Sequence, residues 1–174
     1  MGFPITIMSP AIDESFEPTE DPETIVAELS RKKVQYVLGV ITDRFLPWVL
    51  GSDTIIYHDG RAIGKPQTRE EAQAILASLA GRTHSVYTAL ALYSGKTKNT
   101  LTAVNRTTVR FRPLEEDEIQ WYLDSGEWQG VAAGYRIQGK GSFFIDRIEG
   151  QYHSVVGLPI SDFYGILRSA GYQF

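Results

Sequence analysis

The chain has 174 residues, 43% of them hydrophobic, which suits one domain, or two small lobes sharing one sheet, with a buried core. Lys and Arg number 17 against 21 Asp and Glu, a net charge of −4, so no broad positive field exists to gather a nucleic-acid polymer. With no cysteine, disulfide frameworks, thiolate metal sites and cysteine nucleophiles are excluded; no apolar run approaches the roughly 18 residues that span a bilayer and the start lacks a signal-peptide pattern, so a cytoplasmic protein with no membrane partner is expected.

Residues 3–16, FPITIMSPAIDESF, alternate apolar and polar side chains and break at Pro10, which predicts a short strand running into an acidic loop. A helix follows over 20–38: Asp21 reads as its N-cap, Pro22 takes the favoured first helical position, and Glu23 and Glu28 precede the basic cluster Arg31, Lys32, Lys33, a polarity that suits the helix dipole. In PWVLGSDTIIYHDGRAIGKP, residues 47–66, the Asp59-Gly60 pair between two β-prone runs marks a hairpin. TREEAQAILASLAGRTH, from residue 68, predicts a second helix with Thr68 as N-cap, Glu71 completing a capping box and Gly81 as its stop. The runs HSVYTALALYSG and TLTAVNRTTVRFRPL, joined at GKTKN, predict two long antiparallel strands. LEEDEIQWYLDSGEW predicts a third helix ending at Gly126, residues 134–159 a return to strands and turns, and ISDFYGILRSAGY a closing helix. The order predicts an α/β or α+β domain around a mixed sheet, with no internal repeat and no low-complexity linker.

Chemistry concentrates at the hairpin. A two-residue turn at Asp59-Gly60 sets Thr54 opposite Lys65 and Asp53 opposite Pro66. In perfect register Asp53 and Lys65 point to opposite faces, and they converge only through a bend or bulge, which Gly51 and Gly64 permit. The residues alone favour a plainer reading, with Asp53 a strand-end or turn residue and Lys65 a solvated charge. In GRTH, Arg82 reads as a charge at a helix C-terminus, and Arg110 and Arg112 of RFRP as a solvated strand edge. Arg136, Gln138 and Lys140 fall at alternate positions, so an extended segment would project them from one face, and a glutamine amide there can read a base edge. His58, His84 and His153 share no metal-ligand spacing. Nucleophile-elbow, Walker and dinucleotide-loop patterns are absent from the sequence. Acids and lysines remain: carboxylates hold a hard divalent cation, lysines neutralise phosphate oxygens and an aspartate accepts a proton from water, a set sufficient for attack on a phosphoanhydride.

The ordered series AIDES, RKK, GSDT, GKP, LAGRTH, VRFRPL, YRIQGKG and IEGQYHSVVGLP resembles the Maf family of nucleoside triphosphate pyrophosphatases, and the match runs through nearly the whole chain. The resemblance implies one Maf-like domain over 1–174 with an elongated mixed α/β fold, similar to inosine triphosphatases, two lobes and a central cleft, often dimeric. It implies cleavage of a nucleoside triphosphate between its α and β phosphates with a divalent metal, Mg²⁺ first and Mn²⁺ second. Carried onto this sequence, Asp53 is the proton acceptor; Glu14 and Asp53 hold metal; Lys33 and Lys65 meet phosphates; Thr54 and Gln138 bear on substrate choice. Gln138, where a 7-methyl-GTP branch has glutamate, looks like the dTTP/UTP branch. Two departures stand out. The family's usual opening strand and S-x-S-P-R-R loop have no counterpart before Met1-Gly2-Phe3-Pro4, which raises the expectation of weakened activity, and Val131 stands where a lysine is usual. The alternative reading is a nucleotide-binding protein with a regulatory role in cell division or septum formation.

Overall fold

In the computed structural model, residues 5–41 and 48–173 are described. The elements are α1 (Pro22–Val40), β1 (Trp48–His58), β2 (Arg61–Ile63), α2 (Arg69–Leu79), β3 (Thr83–Ser94), β4 (Asn99–Phe111), α3 (Glu116–Asp124), β5 (Ile145–Glu149), α4 (Tyr152–Val156) and α5 (Ile160–Ser169). The strands form one sheet in the order β2-β1-β3-β4-β5, and every pairing among the described residues is antiparallel. The fold is thus mixed α/β as expected, although no parallel pair is seen in the described sheet.

Local chemistry accounts for most element boundaries. Asp21 caps α1 by accepting from the Thr24 N–H at 2.9 Å, with Pro22 in the first turn. Thr68 caps α2 by accepting from the Glu71 N–H, while the Glu71 carboxylate reaches back one residue further than a capping box requires, to the Gln67 N–H. The β1–β2 turn has Asp59 at φ 48° and Gly60 at φ 78°, the left-handed pair that a two-residue hairpin needs. Its register is the predicted one, from His58↔Arg61 to Ile56↔Ile63, but the ladder stops there.

The two faces of the sheet carry different layers. On one face α1 covers Ile55, Tyr87 and Ala89 with Ile25, Val26 and Leu29, and Val34 covers Val49 and Ala91. On the other, α2 and α3 pack on Ile56, Val86, Val109 and Phe111, while α5 packs on Leu90 and Leu92 through Ile166, Leu167 and Ala170. Between those two apolar blocks β3 carries Thr88, wholly buried, and α4 lies over it.

Three expectations are corrected. No strand forms in the described part of residues 3–16 (Phe3 and Pro4 lie outside it): Ile5 and Ile7 are 76% and 85% exposed, because alternation makes a strand only where a partner edge takes up its backbone groups. Residues 137–139 are a turn leading into a 3₁₀ segment, Lys140–Phe144, so residues 136–140 are not an extended strand. A Cβ at Gly141 would lie 2.6 Å from the Arg136 carbonyl oxygen, so glycine there lets the chain fold back on itself. Residues 152–156, expected among strands and turns, form α4, stopped by Gly157 at φ 109°.

His84 sits in the main core, 2% exposed, its Nε2 2.8 Å from the Tyr135 hydroxyl and Nδ1 without a partner among the described residues. Burial holds its pKa at about 4, against an ordinary 6.5. As pH falls below 6.5 the unfolded chain takes up a proton that the folded chain refuses, so stability declines until about pH 4. Denaturant titrations are expected to show a loss approaching about 3 kcal/mol over that window. A His84→Phe, Tyr135→Phe double variant is expected to flatten the slope; an unchanged slope would show that other groups cause it.

Candidate active site

The site is built where β1 loses its neighbour. Because β2 ends at Ile63, β1 from Ile55 back toward Trp48 has β3 on one side and, among the described residues, an open edge on the other. The chain after Ile63 is drawn off: the Gly64 carbonyl accepts from the Ala133 N–H at 2.8 Å, tying it to the turn Ala132–Gly134. Lys65 therefore does not pair with Thr54, and a cleft opens along the strand edge.

Helix α1 brings the first lysine. It lies so close to β1 that a Cβ at Gly51 would stand 2.5 Å from the Ser30 carbonyl oxygen. One turn on, Lys33 reaches the strand edge, where its ammonium donates to the Ser52 carbonyl at 3.3 Å and to Asp53 Oδ1. The same ammonium lies 2.9 Å from Glu14 Oε1, and the other Glu14 oxygen accepts from Lys65. Asp53, Lys33, Glu14 and Lys65 thus form a continuous chain of alternating charge. Asp53 and Lys65 do not meet directly; Glu14, supplied by a segment without regular structure, and Lys33 join them.

Burial grades this chain. Asp53 is 8% exposed and the Lys33 side chain 17%, whereas Lys65 is nearly half exposed. Loss of solvent pushes the Asp53 carboxyl up from the ordinary aspartate value, and Lys33 offsets only part of that. Burial works against the Lys33 charge too, but Asp53 and Glu14 outweigh it and hold its pKa above the ordinary lysine value. At Glu14, burial is outweighed by hydrogen bonds from Lys65 and Lys33, which keep it below the usual glutamate value.

Two contiguous hollows flank this chain, about 330 and 390 Å³ in volume, sharing Asp53, Thr54, Lys65 and Ala132. Gln138 lines the first, exposed and without a hydrogen-bonding partner among the described residues. All six residues singled out by resemblance therefore lie on one cleft. Val131 lines it as well and contributes an apolar wall.

Other candidates lie elsewhere or serve structure. Arg82 pairs with Asp59 at 2.6 Å, and Arg112 holds Glu118 and the Phe143 carbonyl. Arg136 reaches the cleft wall, but its guanidinium donates to the Glu127 and Gln129 carbonyls. Lys140 stands over the Trp121 ring, 5.1 Å from its centroid. Sequence reasoning missed Ser52, Thr88 and the Val155–Gly157 corner that closes the cleft. Ser52 lies 2.6 Å from the Gly157 carbonyl oxygen, and Thr88 bonds both Thr54 and the Ser154 carbonyl. A threonine inside the apolar run VYTALAL was the available signal.

The model of the Maf-like protein family matches residues 1–170. The chain belongs to the Maf family. Among curated proteins, this Maf chain is 38% identical over 173 residues to a dTTP/UTP pyrophosphatase of Thermus thermophilus, covering 99% of this chain and 87% of that protein. It is 42% identical over 166 residues to one of Myxococcus xanthus, covering 95% and 82%, and 40% identical over 160 residues to one of Bacillus cereus, covering 92% and 81%. Among the described residues no helix is long and apolar enough to cross a membrane.

Removing Lys33 strands the Asp53 carboxylate in a partly dry site and leaves Glu14 to Lys65 alone. Lys33→Met is expected to cost about 1–3 kcal/mol of stability, below the cost for a fully buried pair because the lysine retains some solvent. Adding Asp53→Asn should recover most of it. A double-mutant cycle by chemical denaturation checks this, and strict additivity would contradict the coupling.

Proposed function

We propose that this Maf chain hydrolyses dTTP and UTP to the monophosphate and pyrophosphate. The observation that carries the reading is the Asp53 carboxylate, nearly dry, held by Lys33 on the open edge of β1 at the floor of the cleft. The names of its relatives support the substrate class. They lend nothing to a regulatory role in cell division.

With no ligand, the four charged groups neutralise one another: two carboxylates and two ammoniums. A triphosphate entering the cleft offers Lys33 and Lys65 denser negative charge than the carboxylates do, and both lysines transfer their hydrogen bonds to phosphate oxygens. Asp53 Oδ1 then accepts a proton from water. The water oxygen bonds to the α-phosphorus, the bond from that phosphorus to the bridging α–β oxygen breaks, and pyrophosphate departs with the electron pair. The raised Asp53 pKa makes it a stronger base than an ordinary aspartate.

The donor set suits a hard divalent cation. Among the described residues no group of three His, Cys, Asp or Glu could cage a metal, but Mg²⁺ takes one or two carboxylates and completes its shell with phosphate oxygens and water. Glu14 and Asp53, which converge on one ammonium, would hold it. When bound, it neutralises phosphate charge.

Asp53→Asn is expected to lower pyrophosphate release from UTP by about 100-fold or more with an unchanged circular-dichroism spectrum; full turnover would remove Asp53 from the chemistry. In the metal-free protein, ¹³C titration of the Asp53 carboxyl should place its pKa above the ordinary aspartate value of 3.8, since burial raises it; a value at or below 3.8 would contradict this. Chelation of divalent metal should abolish turnover, and Mg²⁺ should restore it.

A further inference from the structure

Thr54 and Thr88 face each other across β1 and β3, their hydroxyl oxygens 2.9 Å apart. Thr88 is wholly buried, and its oxygen also lies 2.8 Å from the Ser154 carbonyl oxygen on α4. A threonine hydroxyl has one proton. A carbonyl oxygen only accepts, so two oxygens 2.8 Å apart in a dry site require that proton between them. The Thr88 proton is therefore committed to Ser154, and the contact with Thr54 needs a proton from Thr54. Each hydroxyl donates to the next along Thr54, Thr88, Ser154, and the order cannot reverse without setting Thr88 against the carbonyl unprotonated.

The consequence falls on Thr54, which is only partly buried and lines the 330 Å³ hollow together with Gln138. With its proton held by Thr88, Thr54 offers the hollow lone pairs and no donor. Gln138 carries both a donor and an acceptor on an amide that can rotate, so it cannot alone distinguish bases that exchange those roles. Uracil and thymine carry an N–H donor at N3, whereas cytosine has an unprotonated acceptor there.

We infer that Thr88 is a positioning residue for base choice: by holding the Thr54 proton it makes Thr54 a fixed acceptor for the N3–H of uracil or thymine and sets the hollow against cytosine. This rests on the nucleotide pyrophosphatase reading above and adds how the same cleft tells one pyrimidine from another. Thr88 touches no ligand itself; it acts through Thr54. Ser52 repeats the pattern on the same strand, its hydroxyl lying within hydrogen-bond distance of the Gly157 and Ala89 carbonyl oxygens.

The test compares UTP with CTP in kcat/KM, and UMP with CMP in metal-free calorimetric binding, which needs no catalysis. Wild type should favour the uracil nucleotides by about 100-fold or more, as a site built around a specific N–H does. Thr88→Val keeps the shape and frees the Thr54 proton; the preference should fall to about 10-fold or less through improved binding of the cytosine nucleotides. Thr88→Ser, which keeps the hydroxyl, should restore it. An unchanged preference in Thr88→Val, or equal binding of UMP and CMP to wild type, would overturn the inference. If Thr88→Val does not fold, binding of N3-methyl-UMP to wild type decides: a loss like that for CMP supports the fixed acceptor, and binding equal to UMP overturns it. A wild-type chain that binds UMP over CMP yet releases no pyrophosphate from UTP would refute the hydrolase reading and leave this inference standing.

Discussion

One ammonium group organises the cleft. Lys33 touches Asp53, Glu14 and the Ser52 carbonyl at once, and without it the buried Asp53 carboxylate would face Glu14 with no cation between them. That contact depends on how closely α1 approaches β1, which Gly51 permits: a side chain at that position would collide with the Ser30 carbonyl and push the helix, and Lys33 with it, off the strand. The separation of helix from strand is thus set by a residue that carries no chemistry of its own.

The second constraint is the pleat. Neighbouring residues on a strand point to opposite faces, so Asp53 turns toward α1 and the lysines while Thr54 turns toward Thr88 and α4. A cleft on a sheet face would reach one of them. An open strand edge reaches both, and among the described residues the early end of β2 supplies that edge. In the function proposed above, phosphate chemistry and base reading would then fall on opposite faces of one strand, one residue apart, each face with its own support: α1 for the charges, the hydroxyl chain and α4 for Thr54.

Much of this was legible in the sequence. The caps of α1 and α2, the Asp59-Gly60 turn and the long β3–β4 pairing follow from short-range rules, and the structure matches them. Asp53, Thr54, Lys65 and Gln138 stand out in the residues themselves, but their roles, and Glu14 and Lys33 as site residues, come from the resemblance: the hairpin register by itself separates Asp53 from Lys65, and the groups that join them, Glu14 and Lys33, come from segments 39 and 20 residues before Asp53 whose approach no local pattern encodes. The failures were of two physical kinds. The alternation around Ile5 and Ile7 has no partner edge to become a strand, and the Arg136–Lys140 alternation yields to a backbone crossing that only Gly141 accommodates. Thr88 escaped notice because a polar residue inside an apolar strand has meaning only once its partners across the fold are known.

The central claim is that Lys33 leaves Asp53 for the polyphosphate when a nucleotide binds. It is tested most directly by titrating the Asp53 carboxyl carbon by ¹³C NMR, in metal-free buffer, with and without saturating α,β-methylene-UTP, which occupies the cleft without being cleaved. Loss of its ammonium partner and arrival of phosphate charge should both raise the Asp53 pKa. A titration curve that saturating ligand leaves in place would mean that Lys33 stays on Asp53, and would contradict the account.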